Sequence, residues 1–426
     1  MHRFSPKNAA DMAALTRLPA PLTQLIPNIF QGQATYICVA PPANILVLWL
    51  VSPPHFTRIY NFTMVSPEQS HFAGTLIRWY GRHKRALPWR DTTNPYYIWL
   101  SEVILQQTRV AQGLPYYLKF VEAYPTVQQL AAAPEDEVLR LWQGLGYYSR
   151  AHNMHHTAKI ITEEFRGSFP QNYDGLLKLK GVGSYTAAAI ASFAFKEQVA
   201  VLDGNVFRVL ARVFGLSDDI AAPASRKVFQ KLADGLVPVD APDIYNQAIM
   251  EFGAIQCTPV MPDCMFCPLQ QSCFAFNHGM VQELPVKAKA KAARARYFHY
   301  IVLEHAGLFY LRKRLEGDIW QGLYDFYLYE SPDKNLPLEA LLPELRNAGL
   351  EVDLLPLQAP QREYKHVLSH QKITARFYRI KLKKPIEDTV LQETRLAPFT
   401  ANQIEVLPKP ILINSYLKDA GILVYL

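Results

Sequence analysis

The chain has 426 residues, half of them hydrophobic, 12% aromatic and only 19% charged, which excludes a disordered tail protein or an acidic scaffold. That length is about three times the ~150 residues usual for one domain, so more than one core is expected. The formal charge of +7 is unevenly placed: +3 in residues 1–63, −1 in 64–283, +5 in 284–297 and 0 in 298–426. Net charge is thus no argument for nucleic-acid binding by either near-neutral segment, and any such case has to come from local chemistry.

Residues 1–63 hold one acid, Asp11, with scattered prolines and no sustained period. The longest strongly apolar run, Ile45 to Val51, falls far short of the ~20 residues of a membrane span. Pro41, Pro42, Pro53 and Pro54 around it do not suit a signal-peptide core, so a protein of the cytoplasm is expected, with no membrane contact. Ser66-Pro67-Glu68-Gln69 then presents an N-cap serine, a proline at the first helical position and a capping-box glutamine. Phe72, Leu76 and Tyr80 follow at helical spacing. Met64 stands two residues before that cap, so 1–63 reads as an N-terminal extension, either a stretch ahead of the working start or a targeting or docking segment.

Residues 64–283 read as helical throughout. Pro285 to Arg296 alternates Ala with Lys or Arg and holds no acid, the pattern of a solvated, self-repelling linker over 284–297. From 298 to 426 the period changes to strands: Tyr300–Leu303, a turn at His305–Gly307, Leu308–Leu311 and Thr374–Leu382, with a helix from Leu338 to Ala348 ended by Gly349. The expected fold is multidomain, an all-α domain followed by an α+β one.

Five cysteines are too few for a disulfide scaffold on this length. Four of them, Cys257, Cys264, Cys267 and Cys273, fit within 17 residues, which reads as a metal site in a reducing compartment. Four thiolates can hold a zinc ion or an iron–sulfur cluster. Zinc ribbons usually present two tight Cys-x-x-Cys knuckles, and only one is present here.

Leu177 to Ala187 joins two helical stretches, with Gly181 and Gly183 allowing a tight turn. A helix starting there aims free N–H groups at a phosphate, although an ordinary helix–turn with a glycine cap has the same pattern. Lys178 and Lys180 precede the turn as phosphate contacts or solvated face. Glu102 lies with Ser101 in the otherwise apolar and aromatic stretch from Pro95 to Leu105, where lost hydration raises a carboxyl's pKa and suits it to proton donation. Asp203, between Leu202 and Gly204-Asn205-Val206, can cap a helix running toward Phe214, whose N–H groups would keep it ionised. Singly these read as a helix-face glutamate and a structural cap. Together they form the protonated acid and held carboxylate of glycosidic cleavage.

L-S-E-V-I-L-Q-Q-T around Glu102, G-L-G-Y-Y-S-R from Gly144 to Arg150, the G-V-G-S-Y-T hairpin, L-D-G-N-V and the cysteine loop run colinearly over residues 66–280. Together they resemble the adenine DNA glycosylase (MutY) family of the helix-hairpin-helix, or endonuclease III, superfamily. The resemblance implies an all-α helix-hairpin-helix glycosylase domain with one 4Fe–4S cluster on Cys257, Cys264, Cys267 and Cys273. It assigns Glu102 to protonating adenine at N7, and Asp203 to stabilising the oxocarbenium or capturing it covalently before water completes hydrolysis. Gly181, Val182 and Gly183 would meet a DNA phosphate, with Lys180 in place of the usual proline. Arg85 and Trp89 match the stretch around the flipped adenine, and Gln107, Leu145 and Tyr147 match residues that wedge into the base stack and touch the lesion. Asn205 and Gln247 would support the aspartate and the adenine site. Tyr185 stands where endonuclease III carries its lysine nucleophile, which implies a monofunctional enzyme.

Residues 298–426 resemble the Nudix-like domain with which this family recognises 8-oxoguanine. The glutamates of the R-E-x-x-E-E motif, which hold Mg²⁺ in true Nudix hydrolases, are missing: Leu342 to Gly349 carries one glutamate. His366-Val-Leu-Ser-His370 resembles the family's F-S-H loop, with Leu368 replacing phenylalanine and Ser369 and His370 carrying the contact. The implied function is base-excision repair of adenine paired with 8-oxoguanine or guanine in double-stranded DNA, by a monomer working at the nucleoid. An endonuclease III-like pyrimidine-lesion glycosylase/lyase and a non-catalytic DNA-binding protein are the alternatives. Tyr185 argues against the first, and the retained pair Glu102 and Asp203 against the second.

Overall fold

In the computed structural model Pro67 opens α1 (Pro67–His83), the first helix among the described residues, at the position the sequence predicts. The structure describes residues 36–40, 45–52, 56–63, 67–288, 292–315, 317–350, 362–368 and 370–423, with backbone alone up to residue 70; Ser66, the expected N-cap, lies outside them. Upstream, β1 (Tyr36–Ala40), β2 (Ile45–Ser52) and β3 (Phe56–Thr63) form an antiparallel sheet in that order. Tyr36 stands opposite Trp49, and Ser52 opposite Phe56. The segment read as having no period therefore contains a sheet. The seven apolar residues that begin β2 are continuous in sequence and lack the two-residue alternation that marks a strand. The chain divides into two compact units at Thr75–Leu76.

In the helical part of the second unit the described residues form α2 (Pro95–Leu105), α3 (Val110–Ala123), α4 (Val127–Ala132), α5 (Glu135–Leu141), α6 (Ser149–Glu163), α7 (Tyr173–Leu176), α8 (Ser184–Phe195), α9 (Gly204–Phe214), α10 (Pro223–Leu236), α11 (Pro242–Ile255) and α12 (Phe274–Asn277). Asn94 caps α2 by accepting from the Tyr96 N–H at 2.9 Å, and Pro95 takes the first helical position. α8 reads S-Y-T-A-A-A-I-A-S-F-A-F, and its small buried residues let α2 pack closely against it. α9 packs on α11 and α12, which brings the helix capped by Asp203 beside the cysteine loop.

The C-terminal part is a mixed sheet. β4 (Arg294–His305) pairs in parallel with β9 (Gln371–Lys381) and antiparallel with β5 (Leu308–Lys313) and β7 (Tyr327–Ser331). β6 (Tyr324–Asp325) and β10 (Ala397–Phe399) flank β5, and β8 (Tyr364–Val367) flanks β9. Along β4, Phe298, Tyr300 and Val302 face one core, which includes Leu412, Ile413 and Leu417 of α16 (Ile411–Asp419). Ile301 and Leu303 face the other, beside Leu345 of α13 (Leu342–Asn347). α14 (Asp388–Thr394) and α15 (Ala401–Val406) complete the elements. The multidomain architecture, helical then α+β, is as expected.

The linker reading fails at its C-terminal end. Arg294 to Arg296 lie in β4 opposite Gln371 to Ile373, and Arg296 is 8% exposed, bonding Asp318 at 2.7 Å and Glu330 at 2.6 Å. Acids brought in from the folded sheet neutralise a charge that looked solvated in sequence. The helical and C-terminal parts share one contiguous apolar cluster. They also meet where Lys313 Nζ reaches Asp136 at 2.6 Å and His152 Nε2 lies 2.9 Å from the Gln321 carbonyl. Among the described residues, no helix is long and apolar enough to cross a membrane.

Candidate active site

Glu102 sits on α2, 7% exposed, at the wall of a cavity of about 180 Å³. Tyr185, in the first turn of α8, donates its phenol hydrogen to Glu102 Oε2 at 2.5 Å. Burial pushes the Glu102 carboxyl up, the Tyr185 bond draws it down, and the nearby Asp203 raises it again, leaving it pushed up to about 7. Burial, reinforced by Glu102, holds the Tyr185 phenol well above its ordinary range.

Asp203 caps α9, accepting from the Val206 N–H at 2.7 Å and from Asn205 Nδ2 at 2.7 Å. The Val206 and Asn205 bonds favour the ionised carboxylate, as expected of a helix cap. Burial outweighs the Val206 and Asn205 bonds, and the net direction is upward. Asn205 in turn accepts from Arg208 Nη2 at 2.9 Å, a guanidinium that also bonds the Gly253 carbonyl at 2.7 Å and the Cys257 carbonyl at 2.8 Å. Glu102, Tyr185, Asp203, Asn205, Arg85, Trp89 and Gln247 all line the same cavity. Gln247 accepts from the Tyr80 hydroxyl at 2.8 Å, and Trp89 stands edge-on to Tyr117.

Glu251 was not singled out from the sequence and proves central to this wall. It is 1% exposed and takes the Arg85 N–H at 2.9 Å, Arg85 Nη2 at 2.6 Å and Arg90 Nη2 at 2.6 Å. Burial raises its carboxyl, but the Arg85 and Arg90 bonds outweigh that and hold it down to about 2. Glu251 lies 166 residues from Arg85, and only the unpaired cations in R-A-L-P-W-R hinted that an acid had to meet them. Arg85 therefore reaches the cavity through a carboxylate that fixes its guanidinium.

At the hairpin, Gly181 has φ +77° and a Cβ there would lie 2.6 Å from Asn153 Cβ. Gly183 is extended, at φ −84°, with open space where a Cβ would stand. Val182 is buried, and Lys178 and Lys180 are exposed. α8 begins without a side-chain cap, leaving its first N–H groups for an outside acceptor.

Gln107 and Tyr147 are exposed, both in the left-handed region at φ +54° and +49°. Leu145, expected to wedge into the base stack, lies on the Gly144–Tyr147 turn. It is 6% exposed within the main apolar cluster, because its turn is folded inward over Trp142 and Arg150. Ser369 lies outside the described residues. His370 is exposed at the β8–β9 turn, its carbonyl accepting from the Arg294 N–H at 2.9 Å, and Leu368 is half-buried against the main cluster. Neither is among the residues that line the cavity around Glu102.

Arg212 pins the cysteine loop through the Thr258 carbonyl at 2.7 Å and Cys257 Sγ at 3.5 Å, while Cys273 Sγ donates to the Arg212 carbonyl at 3.4 Å. Among the described residues no three His, Cys, Asp or Glu side chains stand in metal-holding geometry. The four thiols nonetheless lie within electrostatic reach of one another on one loop, with no imidazole among them. That all-sulfur donor set fits an iron–sulfur cluster in its chemistry.

Residues 100–236 match the model of the HhH-GPD superfamily base excision DNA repair protein, and residues 299–419 match the NUDIX domain. Adenine DNA glycosylase of Buchnera aphidicola subsp. Baizongia pistaciae is 33% identical over 302 residues, covering 70% of this chain and 83% of that one. The Rattus norvegicus enzyme of the same name is 35% identical over 78% of this chain and 73% of its own. The Homo sapiens one is 35% identical over 74% and 68%. With the paired carboxylates, the hairpin and both matched domains in one chain, this protein belongs to the adenine DNA glycosylase family.

Proposed function

We propose that this chain is a monofunctional DNA glycosylase of base-excision repair that hydrolyses the N-glycosidic bond of adenine mispaired with 8-oxoguanine or guanine. The observation that carries this is the meeting of Glu102, Tyr185 and Asp203 in one cavity. A carboxyl pushed up to about 7 is half protonated near neutral pH, the condition for a general acid. Adenine flipped into the cavity takes that proton at N7. As the C1′–N9 bond breaks, its electron pair leaves with the base, and Asp203 faces the positive charge left on the sugar. Water then adds at C1′ and gives up a proton, completing hydrolysis.

Tyr185 occupies the hairpin position from which an amine would form a Schiff base, and a phenol held above its usual pKa offers none. The α8 terminus and Gly183 suit a phosphate of the DNA backbone, with Gly181 and Val182 shaping the turn. Gln107 and Tyr147 suit contact with the partner strand. We assign Ser369 and His370 to recognition of 8-oxoguanine and the four cysteines to one 4Fe–4S cluster, which when bound cross-links residues 257–273. The protein works as a monomer in the cytoplasm at the nucleoid.

The test is incubation with duplexes bearing adenine opposite 8-oxoguanine, adenine opposite guanine, or thymine glycol, scored after alkali with and without borohydride. Adenine release that needs alkali for strand cleavage and traps no protein is expected. Release of thymine glycol alone, or a trapped covalent adduct, would favour the endonuclease III-like alternative and overturn the proposal.

A further inference from the structure

Arg150 is a buried cation with no carboxylate partner among the described residues. It lies in the first turn of α6 and is 9% exposed. Its Nη1 donates to the carbonyls of Val103 and Ile104, each at 3.0 Å, and of Gln106 at 2.7 Å. Its Nη2 reaches the carbonyls of Leu145 at 3.4 Å and Gly146 at 3.2 Å. The guanidinium lies over the Trp142 ring, 4.9 Å from its centroid.

The first three acceptors belong to the last turn of α2 and its C-cap, where helical carbonyls run out of N–H partners. Val103 and Ile104 directly follow Glu102. The other two belong to the Gly144–Tyr147 turn. One guanidinium thus bridges two turns about 40 residues apart in the chain. Each turn continues into an exposed residue in the left-handed region, Gln107 on one side and Tyr147 on the other. A non-glycine residue there is strained and persists only where its surroundings hold it. Five carbonyl contacts on one planar fork supply that hold.

Burying an unpaired cation is costly, and a leucine or methionine at 150 would fill the space without desolvating a charge. No apolar side chain could tie the two turns together. We propose that Arg150 is a positioning residue that locks the Gln107 and Tyr147 turns in register with the Glu102 helix, so that docking of the partner strand sets the placement of the proton donor. The proposal rests on the function assigned above, in which Gln107 and Tyr147 meet that strand.

Arg150→Lys keeps the charge but presents a point-like ammonium that cannot span both turns. Single-turnover adenine release and duplex affinity are measured for adenine opposite 8-oxoguanine and opposite guanine. We expect release opposite 8-oxoguanine to fall at least tenfold and release opposite guanine to fall less, narrowing the ratio, with affinity changed less than rate. An unchanged ratio, or an equal fall on both duplexes, overturns the proposal. A second measurement needs no variant: hydrogen exchange of the wild-type chain. The amides of 104–108 and 145–149 are expected to share one protection level and to shift together when duplex DNA binds; independent opening of the two segments overturns the proposal even if Arg150→Lys fails to fold. Wild-type protein that releases no adenine would instead count against the assigned function, and the exchange result would still decide the coupling.

Discussion

The Tyr185 hydroxyl donates to Glu102 Oε2 at 2.5 Å, so the residue at the hairpin's lysine position is bonded directly to the proposed acid. The bond favours the ionised carboxylate and opposes the burial that raises its pKa. Tyr185→Phe removes that opposition. A hydrogen bond to a charged group contributes roughly 1.5–3 kcal/mol, so the limb where activity falls with rising pH moves upward by about one unit or more. Single-turnover adenine release followed from pH 5 to 9 measures it; a limb that stays near 7 would show that the tyrosine does not tune the acid.

Glu251 contributes stability that is present above the ordinary glutamate pKa and is lost as pH falls through its folded value of about 2. Glu251→Gln leaves Arg85 and Arg90 facing a neutral amide, and loss of one partner from a buried pair costs about 3 kcal/mol or more. Urea unfolding at pH 7 is expected to register that loss, and the gap to wild type should close between about pH 4.5 and 2. A variant as stable as wild type at pH 7 would mean that solvent, and not the carboxylate, balances the two guanidinia.

The two hairpin glycines separate fold from binding. Gly181→Ala places a side chain at φ +77° against Asn153 and should cost about 1–3 kcal/mol of stability. Gly183→Ala meets open space at an ordinary φ, so the melting temperature should hold while duplex affinity falls, because the methyl stands where a phosphate approaches. Thermal melts and binding titrations on both variants check the contrast. Equal affinity in Gly183→Ala and wild type would remove the phosphate role.

Much of the site was legible because its chemistry is written locally. Glu102 stands in an apolar helix, Asp203 precedes a helix start, and Gly181 fills a turn that demands positive φ; each needs only its sequence neighbours. Glu251, Arg150 and Arg208 were not legible because each also takes a partner more than 40 residues away, Arg85, Gln106 and Gly253 in turn, and nothing in a local window says where a charge will find such acceptors. The same gap explains the linker error. Arg296 read as linker because Asp318 and Glu330 neutralise it only across the sheet, and the burial of Leu145 likewise depends on how the Gly144–Tyr147 turn folds back.

Glu102 also gives a stability signature. Its folded pKa of about 7 lies above the ordinary 4.5, so its contribution is fully present below pH 4.5 and is lost as pH rises through 7. At pH 8 the buried carboxylate is a burden of up to about 3 kcal/mol that Glu102→Gln relieves. The variant should therefore melt higher than wild type at pH 8 and show little difference at pH 4.5. Lower melting of the variant at pH 8 would mean that the carboxylate is stabilised where it sits.

The most direct measurement is single-turnover adenine release by folded Glu102→Gln from duplex carrying adenine opposite 8-oxoguanine. The proton-donor role predicts a rate at least about 10²-fold below wild type with duplex affinity retained. A rate matching wild type would contradict it.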